Sequence, residues 1–175
     1  MTTAPELLEA LFEHLNTNCE YAVLRNFKGL PEKNNSRDID IIIERRDYKK
    51  QKNCLIKLLE KHSWKIVTYL NSDRLVTWVC AAIDSDSSVE IIQIDFFFNT
   101  SLFGVRFLDA KEFLANREFN GKIYHVNKDF EFLDKYMYDR AVGVQYPDKY
   151  RHIKEAVIDS KLVAQTLKGV FGTDT

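Results

Sequence analysis

Two aspartates separated by one residue stand at the head of an apolar stretch. Asp38 and Asp40 precede the run 41–43, which is entirely isoleucine and typical of a buried strand. Side chains two residues apart on a strand point to the same face, so the two carboxylates would lie side by side. Neighbouring anions repel each other unless a cation lies between them, and paired carboxylates suit Mg²⁺ (or Mn²⁺) with substrate phosphates completing the shell. The alternative is that both residues only cap a turn at the start of the strand.

A third aspartate lies inside a second apolar stretch, over residues 89–98. An aspartate in such a run is costly to bury unless it is paired with a cation or ligates a metal. If the two strands are neighbours, Asp95 would join Asp38 and Asp40 at one end of a sheet. Glu90 alternates to the opposite face of the strand and is therefore a weaker ligand candidate. The alternative is that Asp95 forms a buried ion pair with an Arg or Lys.

Hydrophobic periodicity predicts the elements that position these carboxylates. The chain has 175 residues, which suits one domain with a substantial core. We predict an α/β (or α+β) fold with a mixed sheet of about five strands flanked by helices. Residues 1–126 would form the α/β core, and residues 127–175 a C-terminal helical extension packed on it as a single compact unit. The expected helix starts are a capping box at Thr3–Glu6, Asp47, a capping box at Asp109–Glu112 and Asn127, with a final helix over 149–171.

The composition argues against several classes of partner and of structural site. Lys and Arg total 25 against 26 Asp and Glu, so the net charge of −1 gives no indication of nucleic-acid binding. The three cysteines are widely spaced and lack any C-x-x-C pattern, which argues against a disulfide framework or a zinc site and favours a reducing cytoplasm. No apolar run reaches the length of a membrane span, and we expect no signal peptide.

The sequence contains a second D-x-D, Asp84-Ser85-Asp86, which lies between two predicted strands in a serine-rich turn. Such composition is typical of a turn, so we do not assign a metal to it.

The order of elements around Asp38 distinguishes its D-x-D motif from that of glycosyltransferases that bind nucleotide sugars. In those enzymes the motif typically follows an apolar strand, whereas here the polar loop 32–37 precedes the motif and the strand follows it.

The segment 21–31, followed by Arg37-Asp38-Ile39-Asp40, resembles the nucleotidyltransferase fold of the DNA polymerase beta superfamily. More narrowly, it is similar to poorly characterised bacterial nucleotidyltransferase-like proteins often linked to surface-polysaccharide genes. The resemblance covers roughly residues 20 to 98. It implies that Asp38, Asp40 and Asp95 are catalytic acids that hold Mg²⁺ (or Mn²⁺) around a nucleoside triphosphate.

The chain departs from that superfamily at one position. Members usually carry Gly-Ser before the D-x-D to hold the triphosphate, and the corresponding place here reads Arg25-Asn26. Arg25, Asn26, Ser36 and Arg37 are therefore the candidate phosphate-binding residues.

Three functional hypotheses follow. The first is a Mg²⁺-dependent nucleotidyltransferase that transfers a nucleotidyl group from a nucleoside triphosphate to an unknown acceptor. The second, motivated by Arg25-Asn26, is a nucleotide- or partner-binding module without catalysis. The third is the N-terminal domain of a longer polysaccharide-assembly enzyme.

Overall fold

The computed structural model describes residues 3–36, 38–83, 88–102 and 104–172. Arg37 and the Asp84–Asp86 motif lie outside the described residues. Within those residues the chain forms nine β-strands and six α-helices. The strands are β1 (Tyr21–Val23), β2 (Asp38–Ile43), β3 (Lys65–Asn71), β4 (Leu75–Ile83), β5 (Val89–Phe97), β6 (Asn99–Leu102), β7 (Val105–Asp109), β8 (Arg117–Phe119) and β9 (Tyr124–Val126). The helices are α1 (Ala4–Asn18), α2 (Arg45–Lys61), α3 (Ala110–Ala115), α4 (Lys128–Ala141), α5 (Arg151–Glu155) and α6 (Ser160–Phe171).

Seven of the described strands form one mixed sheet in the order β3-β4-β5-β2-β1-β9-β8, while β6 and β7 form a separate hairpin. The pairs β2–β5 and β1–β9 are parallel, and the other pairs are antiparallel. The predicted fold class is thus confirmed. The sheet has more strands than the expected five partly because β8 has only three residues, too few to show a period-two pattern.

The apolar runs of β1 and β2 are explained by the helices that pack on both faces of the sheet. Ile41 and Ile43 belong to a core cluster that α1 and α2 close, whereas Ile42 belongs to a second cluster with α3, α4 and α6. A strand buried on both faces reads as a continuous hydrophobic stretch rather than an alternating one. Asp38 and Asp40 share the face of Ile42 and therefore point toward the side of the sheet on which α4 packs.

The predicted helix starts are confirmed at three places. The backbone N–H of Thr3 donates to Glu6 Oε2 at 2.7 Å, and that of Asp109 to Glu112 Oε2 at 2.7 Å. Asn127 Oδ1 accepts from the N–H of Phe130 at 3.0 Å. The predicted start at Asp47 is wrong, because α2 begins at Arg45 and Asp47 lies in its first turn.

The predicted continuous helix over 149–171 is also wrong. The described residues form a short 3₁₀ turn (Asp148–Tyr150), then α5 and α6 as separate helices. The buried Asp129 carboxylate accepts the backbone N–H groups of Ile158 (2.6 Å) and Asp159 (3.2 Å), which holds the break in place. Asp159 in turn accepts from the N–H groups of Lys161 and Leu162 and caps α6.

None of the helices in the described ranges has the length and apolar character needed to cross a membrane.

Candidate active site

Three carboxylates converge where β2 lies beside β5. The parallel register places Asp40 directly opposite Asp95 and Asp38 opposite Gln93. One oxygen from each of Asp38, Asp40 and Asp95 lies within 4.8 Å of the others, and the latter two residues are buried. The structure therefore brings together the three acids singled out in the sequence, and the roles assigned to them remain predictions.

Neighbouring side chains occupy one oxygen of each carboxylate. Ser36 Oγ donates to Asp38 Oδ1 at 2.8 Å, and Gln93 Nε2 donates to Asp95 Oδ2 at 2.9 Å. Both donors are neutral, so these hydrogen bonds orient the two acids without cancelling their negative charge. Gln93 lies on the same face of β5 as Asp95, two residues earlier, as strand geometry requires.

Arg25 is the cation that compensates Asp40. Its Nε donates to Asp40 Oδ2 at 2.6 Å, and its Nη1 lies 3.9 Å from Asp134 Oδ2 on α4. Burial works against the charged guanidinium, but Asp40 and Asp134 outweigh it and raise the pKa of Arg25. Its predicted role in binding phosphate stays a prediction; in this structure Arg25 lies between two carboxylates.

Burial dominates the electrostatics of the two acids that face Arg25. It raises the pKa of Asp40 to about 6, with Arg25 opposing the shift and Asp38 adding to it. Burial also raises the pKa of Asp134, against the opposing effect of Arg25 and Lys135. Burial therefore opposes the charged form of both acids more strongly than the neighbouring cations favour it.

Two carboxylate oxygens in the site accept no hydrogen bond from a described residue. Asp40 Oδ1 and Asp95 Oδ1 are buried and have no hydrogen-bond partner among the described residues. A buried acceptor without a donor costs about 1–3 kcal/mol, and more when it is charged. Carboxylate oxygens in this arrangement suit a hard divalent cation, which would take both orphaned oxygens and one from Asp38. The residues present therefore fit Mg²⁺ or Mn²⁺.

Two of the other predicted phosphate-binding residues, Asn26 and Ser36, line the same site. Asn26 adopts a left-handed backbone conformation (φ 56°), which Asn tolerates better than most residues. Its Nδ2 lies 3.4 Å from Ser36 Oγ, so Asn26, Ser36 and Asp38 form a short chain of hydrogen bonds. Arg37 falls outside the described residues.

The carboxylates line a cavity of about 510 Å³. Its walls include groups that the sequence did not mark as functional, namely the cations Arg74 and Lys135, the half-buried acid Asp134, and the aromatic residues Phe97, Phe107, Tyr138 and Tyr150. The Lys135 ammonium lies 2.9 Å from Asp139 Oδ1 and 4.6 Å from the centre of the Tyr150 ring. The spacing of Lys135 and Asp139 on a helix predicts their ion pair, but nothing in it indicates that Lys135 faces the cavity.

Asp95→Asn tests whether the three acids strain one another. Among the described residues Asp95 has no ion-pair partner, so the substitution strands no buried cation. We expect it to relieve repulsion and raise the free energy of unfolding of the metal-free protein by on the order of 1 kcal/mol. Urea unfolding in EDTA at pH 8 measures this. The control is Glu90→Gln on the opposite face of β5, and a large loss of stability in Asp95→Asn alone would contradict the assignment.

The Asp40 carboxyl predicts a pH dependence of stability. Its pKa is about 6 in the folded protein and about 4 in an unfolded chain. The folded state therefore binds the proton more tightly, and this contribution to stability is lost as pH rises from about 4 to about 6. In Asp40→Asn the titration is absent, so the stability of the variant relative to wild type should increase across that window by roughly 3 kcal/mol. A constant difference in unfolding free energy from pH 4 to pH 7 would contradict the raised pKa.

Comparison with known proteins identifies the fold. No protein-family model matches the chain, and no curated protein matches it. Among solved structures, the chain is similar to the crystal structure of an antigenic nucleotidyltransferase-like protein from Paracoccidioides brasiliensis. The TM-score is 0.56 at 12% sequence identity, over 97% of this chain and 85% of that one. At this identity the likeness concerns the fold alone, and the chain has a fold similar to that of a nucleotidyltransferase-like protein.

Proposed function

We propose that the protein is a metal-dependent nucleotidyltransferase that transfers a nucleotidyl group from a nucleoside triphosphate to a hydroxyl-bearing acceptor. The observation that carries the proposal is the convergence of Asp38, Asp40 and Asp95. Asp40 and Asp95 each keep one buried oxygen that has no hydrogen-bond partner in the described part of the chain. A metal site would explain those oxygens, and the similarity of the fold to that of a nucleotidyltransferase-like protein supports a nucleoside triphosphate as the substrate.

Asp38, Asp40 and Asp95 are the residues that would hold Mg²⁺ or Mn²⁺. A bound divalent cation neutralises phosphate charge and lowers the pKa of an oxygen that it contacts. The Ser36 and Gln93 hydrogen bonds fix the orientation of two of the ligands, which lessens the rearrangement needed on binding.

The reaction is a displacement at the α-phosphorus. The acceptor hydroxyl oxygen forms a bond to that phosphorus, the bond from the α-phosphorus to the oxygen bridging it to the β-phosphate breaks, and pyrophosphate leaves. Where Asp38 and Asp40 alone hold the cation, Asp95 Oδ1, which has no hydrogen-bond partner among the described residues, is our candidate for accepting the hydroxyl proton. Where Asp95 is also a ligand, the proton passes to solvent water.

The cavity walls suit the rest of a nucleotide. Lys135 brings positive charge that phosphates would neutralise, and Phe107 and Tyr138 offer aromatic surface for a nucleobase. A volume of about 510 Å³ is within the range of small-molecule sites.

A second candidate is a nucleotide-binding module that carries out no transfer. It is favoured by Arg25-Asn26 standing where the superfamily has Gly-Ser, and by the ion pair that engages one oxygen of Asp40 with Arg25. The expected place in surface-polysaccharide assembly, as part of a longer enzyme, has no structural observation in its favour and stays a prediction.

Isothermal titration with ATP, GTP, CTP and UTP, each with and without Mg²⁺, tests the proposal. We expect at least one triphosphate to bind, and to bind more tightly with Mg²⁺, because its phosphates complete the shell around the metal. Asp38→Asn and Asp95→Asn should each weaken Mg²⁺-dependent binding tenfold or more, while Glu90→Gln leaves it unchanged.

Binding of no triphosphate by the wild type would contradict both candidate functions. Transfer of label from an α-³²P-triphosphate to components of a metabolite extract separates the two, since only the enzyme produces labelled product. Binding without any labelled product would favour the inactive module.

A further inference from the structure

A second cavity, of about 540 Å³, opens beside the carboxylate cavity. The two share Arg74, Ser101 and Tyr138 in their linings, so they adjoin each other. The second cavity lies where the turn before β4 meets the β6–β7 hairpin. A molecule bound there would have one end within reach of the site proposed for the triphosphate.

Arg74 lies at the junction and forms no ion pair with a described residue, although its charge acts at longer range on Asp134. Its Nη1 donates to the Ser101 carbonyl at 3.1 Å, and its guanidinium lies 5.6 Å from the centre of the Phe97 ring. No carboxylate within the described ranges lies in ion-pair distance of it, in contrast to Arg25. These contacts position the guanidinium and leave most of its N–H groups available for a ligand.

Arg106 supplies a second guanidinium, and it lines the second cavity only. It pairs with Asp109 at 3.0 Å, but both side chains are more than half exposed, so the pair contributes little stability and exchanges readily for a better partner. Asn99 also lines the cavity, and its Nδ2 donates to the Asp73 carbonyl at 3.4 Å. The lining includes one acid, Asp73, whose exposed carboxylate points to solvent and lies 4.0 Å from Arg45 Nη2.

We propose that the second cavity binds the acceptor, and that the acceptor is a small hydroxyl compound with an anionic group held by Arg74 and Arg106. A guanidinium fork matches the geometry of a phosphate or carboxylate, and two such groups line this cavity. This inference rests on the proposed function. It adds to that function the class of acceptor, whose hydroxyl oxygen replaces pyrophosphate on the α-phosphorus.

Three probes with one carbon skeleton test the charge requirement, namely glycerol, glycerate and glycerol 3-phosphate. Each is titrated calorimetrically into protein saturated with Mg²⁺ and a non-hydrolysable triphosphate, so that the first cavity is filled. We expect at least one anionic probe to bind tenfold or more tightly than glycerol, and the two anions to show whether phosphate or carboxylate is preferred.

Arg106→Gln provides the positional test, because Arg106 does not line the carboxylate cavity. It should weaken binding of the preferred anion tenfold or more and leave triphosphate affinity unchanged. The matched control is the Arg46→Gln substitution, because Arg46 is exposed on α2 and lines neither cavity.

Anionic probes that bind no better than glycerol, or an Arg106→Gln variant that binds them like wild type, would overturn the inference. If no triphosphate binds at all, the proposed function fails; if it binds and the anions do not, only the present inference fails.

Discussion

The parallel pairing of β2 with β5 is the constraint on which the rest of the site depends. It sets Asp40 directly opposite Asp95 and brings Asp38 onto the same face, so three carboxylates share a space that burial partly closes to water. Their mutual repulsion has one close compensating cation among the described residues, Arg25, which contacts Asp40 alone of the three. If the register shifted by one residue, these carboxylates would point to the opposite face of the sheet and into the core on that side.

Helices that pack on both faces of the sheet fix the register between β2 and β5. The isoleucines of β2 divide between the α1–α2 cluster and the cluster of α3, α4 and α6, so neither face can be exposed without loss of a core. Helix α4 also brings Asp134 and Lys135 to the cavity. Through Asp134, which lies near Arg25, the C-terminal part of the chain contributes to the electrostatics of acids located about a hundred residues earlier.

The sequence predicts the acids better than their surroundings. Strand alternation and the burial cost of an aspartate were enough to join Asp95 to the D-x-D, because both depend on local pattern. The sequence places Arg74 in a turn and Lys135 on a helix, and nothing local indicates that either lines a cavity. Their position there depends on how distant elements pack together. The same limit applies to Arg25, whose ion pair with Asp40 depends on the loop geometry rather than on any spacing in the chain.

Anomalous diffraction from crystals soaked with Mn²⁺ and a non-hydrolysable triphosphate tests the central claim most directly. The account predicts a Mn²⁺ peak within about 2.5 Å of oxygens from Asp38, Asp40 and Asp95, with triphosphate oxygens completing the coordination. A triphosphate bound elsewhere, or bound beside these acids with no Mn²⁺ between them, would contradict it.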